Sequence, residues 1–523
     1  MLFMKQNKPR ESVRGLHRIL LTHCLLFFAT LSVPAAPFRD LSISFTQRDG
    51  TQIELRGSGD EFYAVFETLE GYTVVFDPAR EAYCFAQAAP GGDLASSGVE
   101  VHLGNPAALG LPRHLRADLA VRLEQVRQRR QAWEEQTQVG QRWNERKAAL
   151  RKLESQSDSG PGTADSIQPG PPSGPTTGSR LGLTLLIDFD DDPATITQEQ
   201  IFNFCNGDNY TGYGNNGSVK QYFKDNSNGL LIYSNVVTLY IRIPNSLHPK
   251  SYYNNTSKDC GTQARLLIRD AITIMTNLPN YTTEILPTFS DLTVDANNNV
   301  VAFNVFYAGG NGGVWAMGLW PHSGSLSTAL PLGSGKKVRR YQISNIGSSL
   351  TLGTFVHENG HMLCDYPDLY DYNYVSSGVG DWCLMASGSY GGSPAGANPV
   401  QVCAYLKRAS GWATTTALTS SSYLTATVTA TAGTNFNHFY RYQKPGTSTE
   451  YFLAECRFKT GRDADLPGSG VLVWHIDELG SNSKVNLNPN PTHNNYEATL
   501  VQADNRWHLE KNQNSGDSND AYF

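Results

Sequence analysis

Residues His357-Glu358-Asn359-Gly360-His361 set two imidazoles four positions apart with a carboxylate between them. On a helix that spacing puts both rings on one face, where they can reach a single zinc, and leaves Glu358 beside them to take a proton from water. The chemistry is metal-assisted hydrolysis. A third ligand must come from outside the helix, and the chain has to fold back to bring it. Pro367 breaks the helical run and Asp368 follows it directly. A carboxylate oxygen is an ordinary third zinc ligand and leaves a fourth position open for water, which is catalytic rather than structural geometry. Asp365 is the alternative donor. Further on, Met385 lies in Trp382-Cys383-Leu384-Met385-Ala386-Ser387-Gly388, a turn of small residues from which a soft thioether would floor the histidines.

The wider stretch HENGHMLCDYPDLYDY, then GVGDWCLM and NPVQVCAYLKRASGW, resembles the secreted metallopeptidases related to immune inhibitor A, whose catalytic domain is metzincin-like. Further segments share the likeness: FRDLSISFTQRDGTQIEL, GDEFYAVFETLEGYTVV, LLIDFDDDPATI, YTGYGNNGSVKQYF, LWPHSG, GVLVWHIDE and LVQAD, so it runs from about Phe38 onward. The resemblance implies His357 and His361 as zinc ligands, Glu358 as general base, Asp368 as third ligand and Met385 as the Met-turn. Two features depart from the family pattern. The usual position of the third ligand falls on Pro367, one residue before Asp368. Where relatives commonly turn on glycine after the helix, this chain has Cys364-Asp365, and a left-handed Asp365 would cost roughly 1 kcal/mol.

The elements that must position these groups are partly visible. Leu350, Leu352, Phe355 and Val356 give the motif helix an apolar face, with Ser348 or Ser349 to cap it. Upstream, Leu181 to Phe189 and Leu230 to Ile243 read as strands, Thr197 to Cys205 and Val219 to Lys224 as helices, and Val300 to Tyr307 as another strand. Ala264, Leu267, Ile268, Ala271 and Met275 mark an amphipathic helix backing the sheet. Asn398-Pro399 starts a last helix that ends near Gly411. The fold class expected is α+β and multidomain: a metzincin-like α/β catalytic domain with its HExxH helix and Met-turn, an N-terminal propeptide and a C-terminal β-rich domain.

Length and composition agree with several cores. The chain has 523 residues, 40% of them hydrophobic, and a net charge of -6, which gives no reason to expect a nucleic-acid partner. Residues 1–35 read as a signal peptide: Lys5, Lys8, Arg10, Arg14 and Arg18 precede the apolar run Ile19 to Val33, which is too short for a comfortable membrane span. The expected location is secreted, with no stable membrane span.

Residues 36–154 read as a propeptide, made of a small β unit from Phe38 to about Leu103 and a basic helix from Leu115 to Leu153. That helix is either a solvated connector or a brace lying across the catalytic domain, which would make the propeptide the enzyme's own inhibitor. Residues 155–180 lack aromatics and form a flexible linker where activating cleavage would fall. Residues 181–415 are the zinc metallopeptidase domain. Residues 416–523, with alternation in Tyr423 to Val428, Tyr451 to Leu453 and Val471 to Trp474, suggest a β-sandwich-like domain, and the family resemblance implies that it would continue past Phe523.

Several other residues invite chemistry. Of eight cysteines, Cys24 leaves with the signal; Cys364 with Cys383 or Cys403 would staple the site, and Cys84 reads as a buried strand residue. Tyr390 would help an oxyanion or pack at the rim, and His322 reads as a packing or substrate-rim residue. His475 and Asp477 alternate along a strand and read as structural rather than as a second metal site. Asp517 and Asp520 in a glycine turn are candidates for a structural Ca2+, with no further ligand fixed by the sequence. The function expected is a secreted zinc-dependent endopeptidase cleaving polypeptide substrates and made as a precursor. The rival from another class is a zinc-binding, catalytically weak or inactive extracellular recognition or adhesion module, suggested by Asp365 and opposed by the intact Glu358.

Overall fold

The computed structural model describes residues 37–138, 140–154, 176–419, 437–482 and 496–522. The expected signal peptide, most of the expected linker and the run Tyr423 to Val428 lie outside the described residues. The first element is a six-stranded antiparallel sheet in sequence order: β1 (Phe38–Thr46), β2 (Gln52–Gly59), β3 (Ala64–Thr68), β4 (Thr73–Asp77), β5 (Ala82–Ala88) and β6 (Leu94–Glu100). Strict alternation of exposed and buried residues along β2 turns Ile53 and Leu55 inward toward Phe45, Phe66 and Tyr83. Cys84 is buried in β5 as a free thiol.

The basic stretch after this sheet is two helices, α1 (Leu119–Thr137) and α2 (Gln141–Glu154). Gln138 adopts a left-handed conformation at the end of α1, and Gly140, also at positive φ, precedes α2. The helices are not a solvated connector. Val126 and Trp143 are buried in the same apolar cluster as the site helix.

The central sheet has five strands in the order β10-β11-β9-β7-β8, formed by β7 (Gly178–Phe189), β8 (Leu231–Ile243), β9 (Phe303–Ala308), β10 (His322–Gly333) and β11 (Lys336–Ile346). All neighbours run parallel except the edge strand β10, which is antiparallel to β11. Strand alternation divides the core. Leu183, Leu185, Ile187 and Phe189 face the backing helix, whereas Leu186 points to the site side. On the site side lie α3 (Gln198–Asn206), begun by a Thr197 capping box, and α4 (Val219–Asn226). Behind the sheet, α6 (Cys260–Thr276) buries Ala264, Leu267, Ile268, Ala271 and Met275 along one face; the short α5 (Lys250–Tyr253) and α7 (Leu286–Thr288) flank it.

The motif occupies α8 (Leu352–Cys364), every residue of which is buried except Thr354. Its start differs from expectation, because neither Ser348 nor Ser349 caps it. Thr351 is the N-cap and makes no side-chain cap bond; instead the Leu352 amide donates to Asn215 Oδ1 at 3.0 Å and the Gly353 amide to the Gly396 carbonyl at 2.8 Å. The last helix, α9 (Ala404–Ala409), also starts later than Asn398-Pro399 suggests. Residues 400–402 are held extended instead: the amides of Val400 and Gln401 donate to the Gly388 carbonyl and to Asp463 Oδ1, both at 3.0 Å.

A second five-stranded sheet ends the described chain: β12 (Thr414–Leu418), β13 (His438–Gln443), β14 (Glu450–Arg457), β15 (Gly470–Asp477) and β16 (Ala498–Val501), in sequence order. A sandwich would need another sheet facing it, and none is present among the described residues. Its inner face, with Tyr451, Leu453, Leu472, Trp474 and Leu500, packs into the cluster that holds α8 and α9. The molecule is α+β with a multidomain-like arrangement of three sheets. Among the described residues no helix is long and apolar enough to cross a membrane.

Candidate active site

Helix α8 is fixed to the sheet by the residue of the motif that carries no metal chemistry. Asn359 points away from the histidines into the site face of the central sheet. Its amide donates to Asn304 Oδ1 at 3.1 Å, and its carbonyl accepts from the Tyr233 hydroxyl at 2.8 Å. Gln342 donates to the same Asn304 oxygen at 2.6 Å. These groups are buried, so the network both anchors and orients the helix. Gly360 serves the opposite face: a Cβ there would stand 3.0 Å from Met385 Sδ and 3.2 Å from the Tyr366 ring, so its absence admits the methionine against the helix.

On another face of the helix, and still buried, His357 Nε2, His361 Nε2 and Asp368 Oδ1 converge. The separations are 3.3 Å between the two nitrogens and 3.1 and 3.3 Å from the carboxylate oxygen to His357 and His361. Both Nδ1–H groups are used elsewhere, donating to the Leu384 carbonyl at 3.0 Å and the Tyr366 carbonyl at 2.6 Å, which leaves the Nε2 lone pairs facing the cluster. Asp368 Oδ2 accepts from the Tyr372 hydroxyl, while Oδ1 is buried without a hydrogen-bond partner. An orphaned buried carboxylate oxygen beside two oriented imidazole lone pairs is a donor set that fits a divalent cation.

Without a cation, the acid and the rings of the cluster hold one another's charges. Burial raises the Asp368 carboxyl, but the His361 and His357 rings outweigh it and hold it well below the usual range. Burial lowers His361, and Asp368 followed by Glu358 reverses this, pushing the ring up to about 9.

Asp365 is placed outside the cluster. It takes the left-handed conformation at the helix end, with φ of 50°, and its carboxylate pairs with Arg340 at 3.6 Å. Both the turn residue and the third-ligand position thereby have physical accounts. The helix stops on Asp365, and Tyr366-Pro367 carries the chain back so that Asp368 faces the rings.

Glu358 is 4% exposed, and its Oε2 accepts from the Ser323 hydroxyl on edge strand β10. It lines a cavity with Ser323, His322, Tyr341, Glu61, Phe62 and Trp133. His322 is a packing residue at this rim, with Nδ1 2.7 Å from the Trp320 carbonyl and its ring lowered to about 4 by burial. A second cavity, on the other side of Trp133, is lined by His361, Asp368, Tyr372 and Trp143.

The cover over both cavities comes from the N-terminal region. The β2–β3 loop presents Asp60, Glu61 and Phe62. Tyr370 donates toward both Glu61 oxygens at 3.2 Å, Tyr374 donates to Asp60, and Phe62 packs edge-on against Tyr372 and Trp133. Trp133 of α1 lies edge-on to His361 at 6.2 Å and donates to the Ser323 carbonyl at 3.2 Å. The Arg130 guanidinium stands 4.3 Å over the Tyr372 ring. Helix α2 is tied to the C-terminal sheet by Arg146 on Glu478 and by Lys147 on Glu497 at 2.6 Å.

The remaining residues singled out in the sequence fall elsewhere. Tyr390 packs against the apolar cluster of the N-terminal sheet. His475 pairs with Glu450 at 2.9 Å across β15 and β14. All seven described cysteines are free, and Cys364 does not meet the other two: the Cys403 amide donates to Cys383 Sγ at 3.3 Å, whereas the Cys364 thiol lies among Tyr366 and Ser410. Ser323, Tyr372, Glu61 and Trp133 were not singled out by the sequence. Only Tyr372 carries a local signal, four positions beyond Asp368 in PDLYDY.

Residues 319–413, from the end of the loop before β10 through α9, match the family model described as immune inhibitor A peptidase M6, catalytic domain. No curated protein matches the chain.

Proposed function

We propose that this immune inhibitor A-like metallopeptidase is a secreted zinc endopeptidase, made as a precursor whose N-terminal region covers its own active site. The observation that carries the reading is the convergence of His357 Nε2, His361 Nε2 and Asp368 Oδ1, all within 4.8 Å of one another, with Glu358 lining the adjoining cavity. In this reading the three atoms hold zinc, Met385 is the Met-turn of a metzincin-like domain, and polypeptides are the substrates. When bound, zinc supplies Lewis acidity that lowers the pKa of water to about 7 and polarises a carbonyl.

The chain's own residues do the rest. The carbonyls of Leu384 and Tyr366 fix both imidazoles as neutral donors through Nε2. Tyr372 orients Asp368. Glu358 takes a proton from the attacking water and returns one to the leaving amine, with Ser323 steadying its Oε2. Trp133 and Phe62 exclude a substrate chain until they are displaced. Cleavage within residues 155–180, followed by loss of the N-terminal region, would open the cleft. The recognition-module alternative drew on Asp365, and the Arg340 pair gives that residue a structural role.

The test is casein hydrolysis by the full chain before and after limited proteolysis, beside Glu358→Ala and a chelated sample given zinc back. Activity that appears after proteolysis, is lost on chelation, returns with zinc and is absent from Glu358→Ala is expected. A folded, zinc-loaded, processed chain with no hydrolysis would overturn the reading.

A further inference from the structure

Helix α2 sits on a surface made by the C-terminal sheet and α9, and what it places there shows what that surface accepts. One face of the helix, Trp143, Arg146, Lys147 and Leu150, is turned inward; the first, second and fourth are buried and the Lys147 side chain is 12% exposed. The Trp143 indole lies edge-on to the Tyr405 ring at 5.8 Å and donates to Glu497 Oε1. Lys147 Nζ reaches Glu497 Oε2 at 2.6 Å, and the Arg146 guanidinium pairs with Glu478. The backbone of both acids is held by the sheet and not by α2: the Asp477 amide donates to the Glu497 carbonyl and the Glu478 amide to the Thr449 carbonyl, both at 3.0 Å. Without α2 the two acids differ. Glu478 keeps the Tyr451 hydroxyl at 2.8 Å and Arg408 at 3.6 Å, whereas Glu497 keeps, among the described side chains, the Tyr405 hydroxyl at 2.9 Å. The same surface reaches the candidate metal ligands, because one cavity of about 360 Å³ is lined by His361 and Asp368 as well as by Trp143, Lys147, Asn482 and Glu497. Asn482 in that cavity is 5% exposed; its Oδ1 accepts from the Ala498 amide at 3.1 Å, but its Nδ2 has no hydrogen-bond partner with the cover in place. A buried donor left unpaired is unfavourable, and this one awaits an acceptor that α2 does not bring.

We propose that in the processed enzyme the surface under α2 is a docking site for basic, aromatic-bearing segments of polypeptides, with Glu497 as its specificity-determining residue. This rests on the reading above that the N-terminal region is lost on activation. The occupant is defined by what the precursor puts there: an aromatic side chain followed three and four positions later by arginine or lysine. The ring enters the slot beside Tyr405, a cation replaces Lys147 on Glu497, and Asn482 Nδ2 donates to a main-chain carbonyl of the docked segment. Trp133 lines both this cavity and the one that holds Glu358, so its departure joins them into one cleft running past the histidines. A segment held on Glu497 thereby tethers the chain whose scissile bond lies at Glu358. An acid fixed on the sheet binds a cationic chain equally in the ground and transition states, so its contribution falls on KM and not on kcat.

The experiment titrates a labelled synthetic peptide of residues 141–154 into the full chain after limited proteolysis and gel filtration, read by fluorescence anisotropy. Glu358→Ala is used for the titration so that the peptide is not consumed. One peptide is expected to bind per chain, with an affinity that falls as salt rises. The affinity should drop at least about tenfold with Glu497→Gln in the enzyme, and equally with Arg146→Ala and Lys147→Ala together in the peptide. The peptide variants leave the enzyme untouched and decide the matter even if Glu497→Gln folds poorly. In the active processed chain, Glu497→Gln should raise KM for reduced, alkylated lysozyme, a basic substrate, about five- to tenfold with little change in kcat, and KM for acidic casein much less. No binding of the native peptide would overturn the proposal, as would equal binding of the peptide without its two cations. So would an unchanged KM for lysozyme in a folded Glu497→Gln enzyme, or an N-terminal region that stays bound after cleavage, because the surface then never meets a substrate. Peptide binding without hydrolysis of either protein would support the docking site and overturn the peptidase reading, so the two failures are told apart.

Discussion

The two clusters of acids and histidines are built differently, and the contrast shows what fixes the chemistry of a metal site. At α8 the donors are two nitrogens and one oxygen, all buried, each held by a second group: a main-chain carbonyl behind each ring and Tyr372 behind Asp368. At the loop after β16, Asp504, His508 and Asp517 approach within 4.8 Å of one another, half-buried and mainly oxygen-bearing, and the His508 imidazole has Asp517 and Asn514 near its Nδ1, at 3.4 and 3.3 Å. The first is rigid, nitrogen-rich and covered; the second is oxygen-rich and adaptable. Rigidity with an open position suits a catalytic metal, whereas loosely held, half-buried acids are common on surfaces without any ion.

The largest effect expected from this contrast belongs to the histidines of the helix. His361→Ala removes one of two nitrogen donors and leaves Asp368 Oδ1 facing a single ring. Zinc content measured by elemental analysis should fall from one per chain to background. Activity of the processed enzyme should drop at least about 10³-fold, because the Lewis acid goes with it. Retained zinc in the folded variant would mean that Asp365 or another group can substitute, and the assignment of three ligands would fall.

Next in size is the group behind Asp368. Tyr372→Phe leaves Oδ2 of a fully buried carboxylate without its hydroxyl donor, and second-sphere losses of this kind cost about 10–100-fold in metal affinity. Competition with a chromophoric chelator reads the number directly. Unchanged affinity would show that Tyr372 only packs against Phe62 and Arg130.

How much of this was legible beforehand divides along the same line. His357, His361, Glu358 and Asp368 could be named because a helix and a proline-forced turn are local devices, and local devices leave spacing in the sequence. The buried strand runs and the face of α6 were readable for the same reason. Long-range partners were not. Asn215, 137 positions from the amide it caps, displaced the nearby serines, and nothing around Ser323 announces a partner for Glu358 35 positions away. The basic helices look solvated because arginine and glutamine dominate them. Yet a few apolar residues, Val126, Trp133 and Trp143, together with cation-to-ring and ion-pair contacts, suffice to seat them over the cleft. Alternation in the C-terminal region is limited in a similar way, since it reports that one face of a sheet is buried and not what buries it.

The cover supplies a smaller effect that depends on pH. Burial, and then the charge of Asp368, push the Asp60 carboxyl up to about 7 from an ordinary 3.8, against hydrogen bonds from Tyr374 and from the Phe62 and Tyr63 amides. A raised carboxyl means that the docked state binds the proton more tightly than the free one. Docking of the loop is therefore favoured below about pH 4 and weakens progressively as pH rises through 7. Hydrogen exchange of residues 60–63, corrected for intrinsic rates, should show protection falling between pH 5 and 8 in the precursor, and Asp60→Asn should flatten the trend. Protection that rises with pH would reverse the sign and remove Asp60 as its cause.

The smallest effect expected is the sharpest test of the contrast, because it asks whether a histidine matters equally in both clusters. His508→Ala deletes the imidazole of the loop cluster. Asn514 still donates to Asp517 Oδ2 at 2.9 Å, and Asn519 still donates to its Oδ1 at 2.9 Å, so the acidic turn keeps its shape without the ring. Zinc content and activity of the processed chain should therefore stay within about twofold of the native values, whereas His361→Ala loses both. If His508→Ala emptied the zinc or abolished hydrolysis in a folded chain, the loop would act on the cluster at α8, and the contrast between the two would collapse.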